Sequence, residues 1–193
     1  MTYQYDVFFS YKRDVQSDAW HRVVMEKLQF LLKLELGCAK VPIFFDTEEI
    51  HSGQRWRSKL ADALKASKTI VCIWSPLYFQ SQWCISEWKT FTEREKKFNR
   101  VLVIPARYHD GESFPQEAQD TQSMDMSNYS STMESFWKTA MAVDFEKNCL
   151  EPFAKEVANV IRNVPPFKPD FPLFEFPANQ LIPQAGIGRP AND

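Results

Sequence analysis

Lys68-Thr69-Ile70-Val71-Cys72-Ile73-Trp74, closed by Ser75-Pro76 and followed by Trp83-Cys84-Ile85-Ser86-Glu87-Trp88, decides the fold. The first run is apolar and β-branched with almost no polar alternation. Such a run suits a strand covered on both faces, as in a parallel sheet packed under helices. The second run opens an amphipathic helix that the pattern carries to about residue 97. Trp83 and Glu87 are four apart and therefore share a helix face. With Trp83 packed inward, Glu87 is expected as a half-sheltered carboxylate at the rim of the sheet. Taken alone, that pair reads first as a core tryptophan beside a solvated acid. The surrounding chain gives it weight.

Working outward, Tyr5-Asp6-Val7-Phe8-Phe9-Ser10-Tyr11 is a first strand and Lys12-Arg13-Asp14 a polar loop. Ser17 or Asp18 caps a helix running to residue 36, where Gly37 stops it. Val41-Pro42-Ile43-Phe44-Phe45 is a second strand, and Pro42 assigns it to an edge. A polar loop with Asp46, Glu48, Glu49 and His51 leads to a helix over residues 54–66. Arg100-Val101-Leu102-Val103-Ile104-Pro105-Ala106 is a fourth strand, and residues 121–126 offer a short fifth. A long helical region follows over residues 132–164, which Pro152 must break or kink. Seven prolines fall in the last 29 residues. These readings divide the chain into a domain over residues 1–164 and a proline-rich tail or linker over 165–193, whose aromatics either dock on the domain or lead elsewhere.

Strands alternating with helices predict an α/β fold with a parallel sheet and right-handed crossovers. Ligands in such sheets bind beyond the carboxyl ends of the strands. Residues 10–14, 46–53 and 75–87 meet at that edge, and all three segments are polar and aromatic.

The 193 residues suit one compact domain, and a 44% hydrophobic content supplies its core. The net charge of −2, without a basic stretch, argues against nucleic acid as a partner. Residues 1–6 lack the signature of a secretory signal, and no apolar run approaches the ~18 residues of a membrane span. Cys38, Cys72, Cys84 and Cys149 are widely spaced, which fits reduced thiols in a cytoplasmic protein. His21, His51 and His109 have no ligand spacing, so no metal is expected. No glycine-rich dinucleotide or phosphate loop occurs, which disfavours hydride transfer and P-loop chemistry. Ser75 has no His–Asp pattern beside it, which disfavours a serine hydrolase.

Three boxes carry a family resemblance. Phe8-Phe9-Ser10-Tyr11-Lys12-Arg13-Asp14 resembles the first box of Toll/interleukin-1 receptor (TIR) domains. Phe44-Phe45-Asp46 with Glu48, Ile50 and Gly53 resembles their second-strand box and the loop after it. Ser81-Gln82-Trp83-Cys84-Ile85-Ser86-Glu87-Trp88 resembles the helix of plant and bacterial members that cleave NAD+. The likeness covers residues 4–106 well, fades towards residue 164 and is absent from the tail. Its wording looks bacterial.

The resemblance implies a flavodoxin-like five-stranded sheet of order 2-1-3-4-5 with helices on both faces. It implies an NAD+ glycohydrolase or cyclase, yielding nicotinamide and ADP-ribose or a cyclic isomer, in bacterial antiviral defence. The family's catalytic glutamate falls on Glu87 and its tryptophan on Trp83. Nucleotide contacts fall on Ser10, Tyr11, Lys12 and Arg13, with Asp46, Trp56 and Ser86 as further substrate-binding positions. NAD+ is then substrate, with no separate cofactor. Implied partners are other TIR domains, including copies of this chain, and an effector protein that senses the product. One departure stands out. The animal NAD-cleaving member has a lysine where this chain has Glu49, which leaves the phosphate contact to Lys12, Arg13 or Arg55.

The residues fit that chemistry in their own right. Cleavage of the nicotinamide–ribose bond develops an oxocarbenium-like centre, as in glycoside hydrolysis. Nicotinamide leaves readily, so one carboxylate facing the developing charge suffices. Glu87, near a helix N-terminus, is expected to be held ionised by the helix end. Each candidate also has a plain reading: strand-end packing for Tyr11, a solvated loop for Lys12 and Arg13, loop ordering for Asp46, surface for Ser86. Two other functions compete. A non-catalytic TIR adaptor would bind other TIR domains through residues 46–53 and would not need Glu87. A phosphoacceptor receiver would need paired acids where Ser10-Tyr11-Lys12-Arg13 stands.

Overall fold

The computed structural model of the chain describes residues 2–46 and 57–174, together with the backbone of 54–56. Its centre is a five-stranded parallel sheet of order β2-β1-β3-β4-β5. The strands are β1 (Tyr5–Tyr11), β2 (Ile43–Phe44), β3 (Ser67–Trp74), β4 (Val103–Arg107) and β5 (Met124–Asp125). The helices are α1 (Asp18–Leu36), α2 (Gln54–Ala66), α3 (Gln82–Phe98), a short α4 (Gln116–Gln119), α5 (Ala140–Phe145) and α6 (Glu151–Arg162). The sheet order implied by the TIR resemblance is the one observed.

The continuous apolar run of β3 is explained by two cores. Val71 and Ile73 join Val7 and Phe9 of β1 beneath Val24, Leu28 and Leu32 of α1 and Phe153, Val157 and Ile161 of α6. Ile70, Cys72 and Trp74 join Phe8 on the other face, beneath Leu60 and Leu64 of α2 and Cys84, Trp88 and Phe91 of α3. Each fully buried leucine or phenylalanine contributes about 2 kcal/mol. Covering both faces therefore fixes the register of β3 firmly, because a one-residue slip would exchange its two core faces.

Expected boundaries hold closely for β1, α1, α2, β3 and α3. Gly37 ends α1 with φ +63°, the left-handed conformation that glycine adopts without strain. The outer strands are shorter than expected. β2 shrinks to Ile43–Phe44 on the edge, as Pro42 cannot donate to a ladder, although its carbonyl accepts from Asp6 at 2.8 Å. β4 begins at Val103, not residue 100, because the Glu95 carboxylate takes the Leu102 and Val103 N–H groups at 2.7 and 2.8 Å. The helix expected over 132–164 is interrupted. A 3-10 turn (Glu134–Lys138), α5, a π-helical turn (Glu146–Leu150) and α6 follow in succession. Pro152 is the second residue of α6, directly after the π-helical turn, and the widened turn accommodates a residue with no N–H to donate.

Residues 165–174 pass along α3 without helix or strand, turning at 169–170. The Tyr3 hydroxyl donates to the Pro165 carbonyl at 2.8 Å, Phe171 is buried, and the Phe174 N–H donates to Thr90 Oγ1 at 3.0 Å. Phe171 lies over the guanidinium of Arg94, 4.6 Å from ring centre to Cζ, with Phe91 on another side at 4.4 Å.

Candidate active site

β1 alternates its side chains across the sheet, and this splits the first sequence box. Phe8 and Ser10 face α3, whereas Phe9 and Tyr11 face α1. Ser10 is 1% exposed and its Oγ lies 2.5 Å from Glu87 Oε2. The same Oγ lies 2.8 Å from the Tyr78 hydroxyl, which also reaches the Cys84 carbonyl at 3.0 Å. Tyr78 is fully buried, and its ring stands in the short turn (Tyr78–Gln80) that connects β3 to α3. No sequence expectation falls on Tyr78, which lies between the end of β3 at Ser75-Pro76 and the start of α3. Tyr78 is the one buried side chain in a connection whose other residues are partly or fully exposed, and nothing local in the sequence marks it.

Glu87 stands in the second turn of α3 and is 8% exposed, more enclosed than the half-sheltered acid expected at the rim. Burial raises its pKa to about 8, opposed by the Ser10 hydroxyl and Arg13 and reinforced by the negative charge of Asp46. The expectation that the helix end holds it ionised is therefore corrected. A helix dipole offers ~0.3–1 kcal/mol and fades beyond the first turn. Desolvation of a buried carboxylate shifts its pKa by several units, and it prevails.

Arg13 and Asp46 close the site on the β2 side. Their side chains form an ion pair at 2.9 Å, and Arg13 also donates to the Asp46 carbonyl. The Tyr11 hydroxyl donates to that same carbonyl at 3.2 Å, while its ring stacks on Phe45 at 4.9 Å and on His21 at 4.7 Å. Tyr11 thus anchors the end of the described loop from the far face of β1. Trp83 is partly buried at the start of α3, with the Arg57 guanidinium 5.4 Å from its ring centre. Ser86 is buried and its hydroxyl donates to the Gln82 carbonyl at 2.8 Å. The side chain of Trp56 lies outside the described residues, as do Glu48, Glu49, Ile50, His51, Gly53 and the side chain of Arg55.

Lys12 takes a different direction. It lines a cavity of about 340 Å³ on the α1 side, with Asp14, Ser17, His21, Tyr108 and His109 among its walls. Its charge is still felt at Cys84, at the start of α3. Among the described residues no carboxylate forms an ion pair with Lys12. The structure therefore brings Ser10, Glu87, Arg13 and Asp46 into one electrostatic neighbourhood, with Trp83 one helical turn before Glu87. It sends Tyr11 and Lys12 towards the other face.

The parallel sheet with this edge defines a class of small α/β domain, and sequence comparison identifies the family. The chain belongs to the TIR domain family, whose profile matches residues 7–139. A TIR domain-containing protein of Arabidopsis thaliana is 36% identical over 78 residues. That stretch is 40% of this chain and 29% of the plant protein, so the chain spans under a third of that relative's length. Among solved structures, the TIR domains of the activated Roq1 resistosome, which directly recognises the pathogen effector XopQ, align at 22% identity and a TM-score of 0.42. That alignment covers 83% of this chain and 89% of that one. The TIR domain of the Toll-related receptor TRR-2 of Hydra magnipapillata aligns at 19% identity and 0.47, covering 75% of this chain and all of that one. Among the described residues no helix is long and apolar enough to cross a membrane.

Proposed function

We propose that this TIR domain cleaves the nicotinamide–ribose bond of NAD+, with Glu87 as the catalytic carboxylate. The observation that carries this reading is an acid enclosed at the carboxyl edge of the sheet, bonded to Ser10 and within the field of Arg13 and Asp46. The C1′–N bond breaks heterolytically and its electron pair leaves with nicotinamide. The carboxylate stabilises the positive charge that develops on the sugar and orients its hydroxyls. A water oxygen then bonds to C1′ and releases one proton, giving ADP-ribose. Attack by an adenine nitrogen of the same molecule instead gives a cyclic isomer. Trp83 walls the nicotinamide side, and Lys12, with Arg13, attracts the pyrophosphate. Tyr11, Asp46, Trp56 and Ser86 are the further substrate-binding residues of this reading, and Asp46 is held by Arg13 and Tyr11.

In the free protein Glu87 is mostly protonated near neutrality. Cleavage requires its anion, and a cationic nicotinamide ring placed beside it favours that form. Activity in the free-enzyme limit is thus expected to rise with pH and level off above about 8.

Concentrated protein incubated with NAD+, with products identified by mass, tests the reading directly. Nicotinamide plus ADP-ribose or a cyclic isomer is the expected outcome. Glu87→Ala protein that folds and yet cleaves NAD+ at the wild-type rate would overturn it. The assay belongs at high protein concentration, since neighbouring copies are proposed to complete each other's site. The setting proposed is cytoplasmic bacterial antiviral defence, in which cleavage depletes NAD+ or its product signals to a sensing effector. A non-catalytic adaptor is the second reading. It would bind other TIR domains through residues 46–53, whose first residue, Asp46, is paired with Arg13.

A further inference from the structure

Ser10, Tyr78 and Glu87 are buried together, and their hydrogens can be counted. Three contacts join them in a row: Glu87 Oε2 to Ser10 Oγ at 2.5 Å, Ser10 Oγ to Tyr78 Oη at 2.8 Å, and Tyr78 Oη to the Cys84 carbonyl at 3.0 Å. With Glu87 protonated there are three hydrogens for these three contacts, and the Cys72 thiol, which also meets the Tyr78 hydroxyl, brings a hydrogen of its own in either state. The carboxyl donates to Ser10, Ser10 to Tyr78 and Tyr78 to the Cys84 carbonyl. With Glu87 ionised, two hydrogens remain. Ser10 must then donate to the carboxylate, and Tyr78 can turn its hydrogen back towards Ser10. The Cys84 carbonyl lies inside α3, where the helix itself supplies a donor, so releasing it costs little.

We propose that Tyr78 is a positioning residue for the Glu87 carboxylate: its hydroxyl reverses direction when Glu87 ionises and supports the anion through Ser10. A donor behind a donor polarises the chain, and in a buried site that strengthens the bond to the charged end. In the neutral state the same hydroxyl spends its hydrogen on a carbonyl that has another partner. Tyr78 therefore favours the anion over the acid. The groups facing this relay are Cys72 from β3, Cys84 from α3, and Asp46 and Arg13 from the loops after β2 and β1. Burial raises Cys72, Cys84 and Tyr78 far above neutrality, so none of them takes up the proton that Glu87 gives up. The proposal deepens the NAD+-cleaving reading, on which only the activity arm of its test rests.

The test is a carbon-13 NMR titration of glutamate carboxyls in the full chain, with the Glu87 signal assigned by its loss in Glu87→Gln. Tyr78→Phe is expected to raise the Glu87 midpoint by about one pH unit, the worth of one hydrogen bond that only the anion uses fully. In a Ser10→Ala background the same substitution is expected to add no shift, because Tyr78 acts through Ser10. Should Tyr78→Phe fail to fold, difluorotyrosine at position 78, a stronger donor of nearly the same shape, is expected to lower the midpoint. An unchanged midpoint overturns the proposal, and so does an equal shift with and without Ser10, which would mark Tyr78 as packing alone. In the activity arm, kcat/KM for NAD+ in Tyr78→Phe falls several-fold near neutral pH and recovers at alkaline pH. A shifted midpoint in a chain that never cleaves NAD+ supports the relay and rejects the cleavage reading.

Discussion

Glu87 and Arg94 lie on the same face of α3, seven residues apart, and neither has an oppositely charged side chain bonded to it among the described residues. Their outcomes differ. The Arg94 guanidinium donates to the Leu64 carbonyl at 2.8 Å and to the Ser67 carbonyl at 3.4 Å, and it lies between the rings of Phe91 and Phe171. Burial lowers its pKa to about 10, which still leaves it charged at neutral pH. Glu87 has one hydroxyl donor, and burial carries it past neutrality to about 8. A guanidinium spreads its charge over a plane that carbonyls and ring faces can satisfy. A carboxylate needs several donors and here receives one. The same degree of enclosure therefore gives a fixed structural cation at one end of the helix and a proton-exchanging acid at the other.

The largest effect expected from breaking this contrast is at the acid. Glu87→Gln should reduce NAD+ cleavage by about a thousandfold or more, measured as nicotinamide released per unit time, since it removes the charge that faces the sugar cation. The same variant should be more stable than the wild type at alkaline pH. The folded chain holds the Glu87 proton up to about pH 8, whereas an unfolded glutamate loses it near 4.5. Between those values the folded state binds more protons, so wild-type stability falls as pH rises through that window. Below about 4.5 wild type and variant should converge. Above 8 the variant should lead by roughly 5 kcal/mol, read from urea unfolding at several pH values.

At the cation the sign reverses. Arg94→Met keeps most of the volume but leaves the Leu64 and Ser67 carbonyls without their donor and the two rings without their cation. It should cost about 3 kcal/mol with little dependence on pH between 5 and 8. A stabilised Arg94→Met protein would show that the cation is tolerated, not needed. Phe171→Ala sharpens the comparison with a smaller effect. It removes one ring from the guanidinium and should cost about 2 kcal/mol, while leaving the midpoint of the Glu87 titration unchanged.

Much of the fold was legible because β3 and its neighbours declare burial on both faces through continuous apolar runs. β2 and β5 pair over two residues each, too short to impose a pattern, and their limits follow from neighbours that sequence does not show. Pro42 and Pro152 were readable because proline acts locally. The Glu95 carboxylate that trims the start of β4 was not, because its role depends on where α3 brings it. The site divides in the same way. Glu87, Trp83 and Ser10 stand in motifs. Tyr78 matters through a contact 68 residues away in sequence, and no local pattern marks it. The ionisation of Glu87 departs from the expectation because a helix end is visible in sequence, whereas the enclosure of an acid is a property of packing.

The stretch 165–174 bears on how the chain can be shortened. Its prolines invite a cut after Val164, but Phe171 is the lid over Arg94 and Phe174 is tied to Thr90. Trimming there would lay open a greasy furrow with a bare positive charge at its floor, and the shortened protein would be prone to clump. A cut placed after residue 174 keeps that furrow sealed and should give the better-behaved sample.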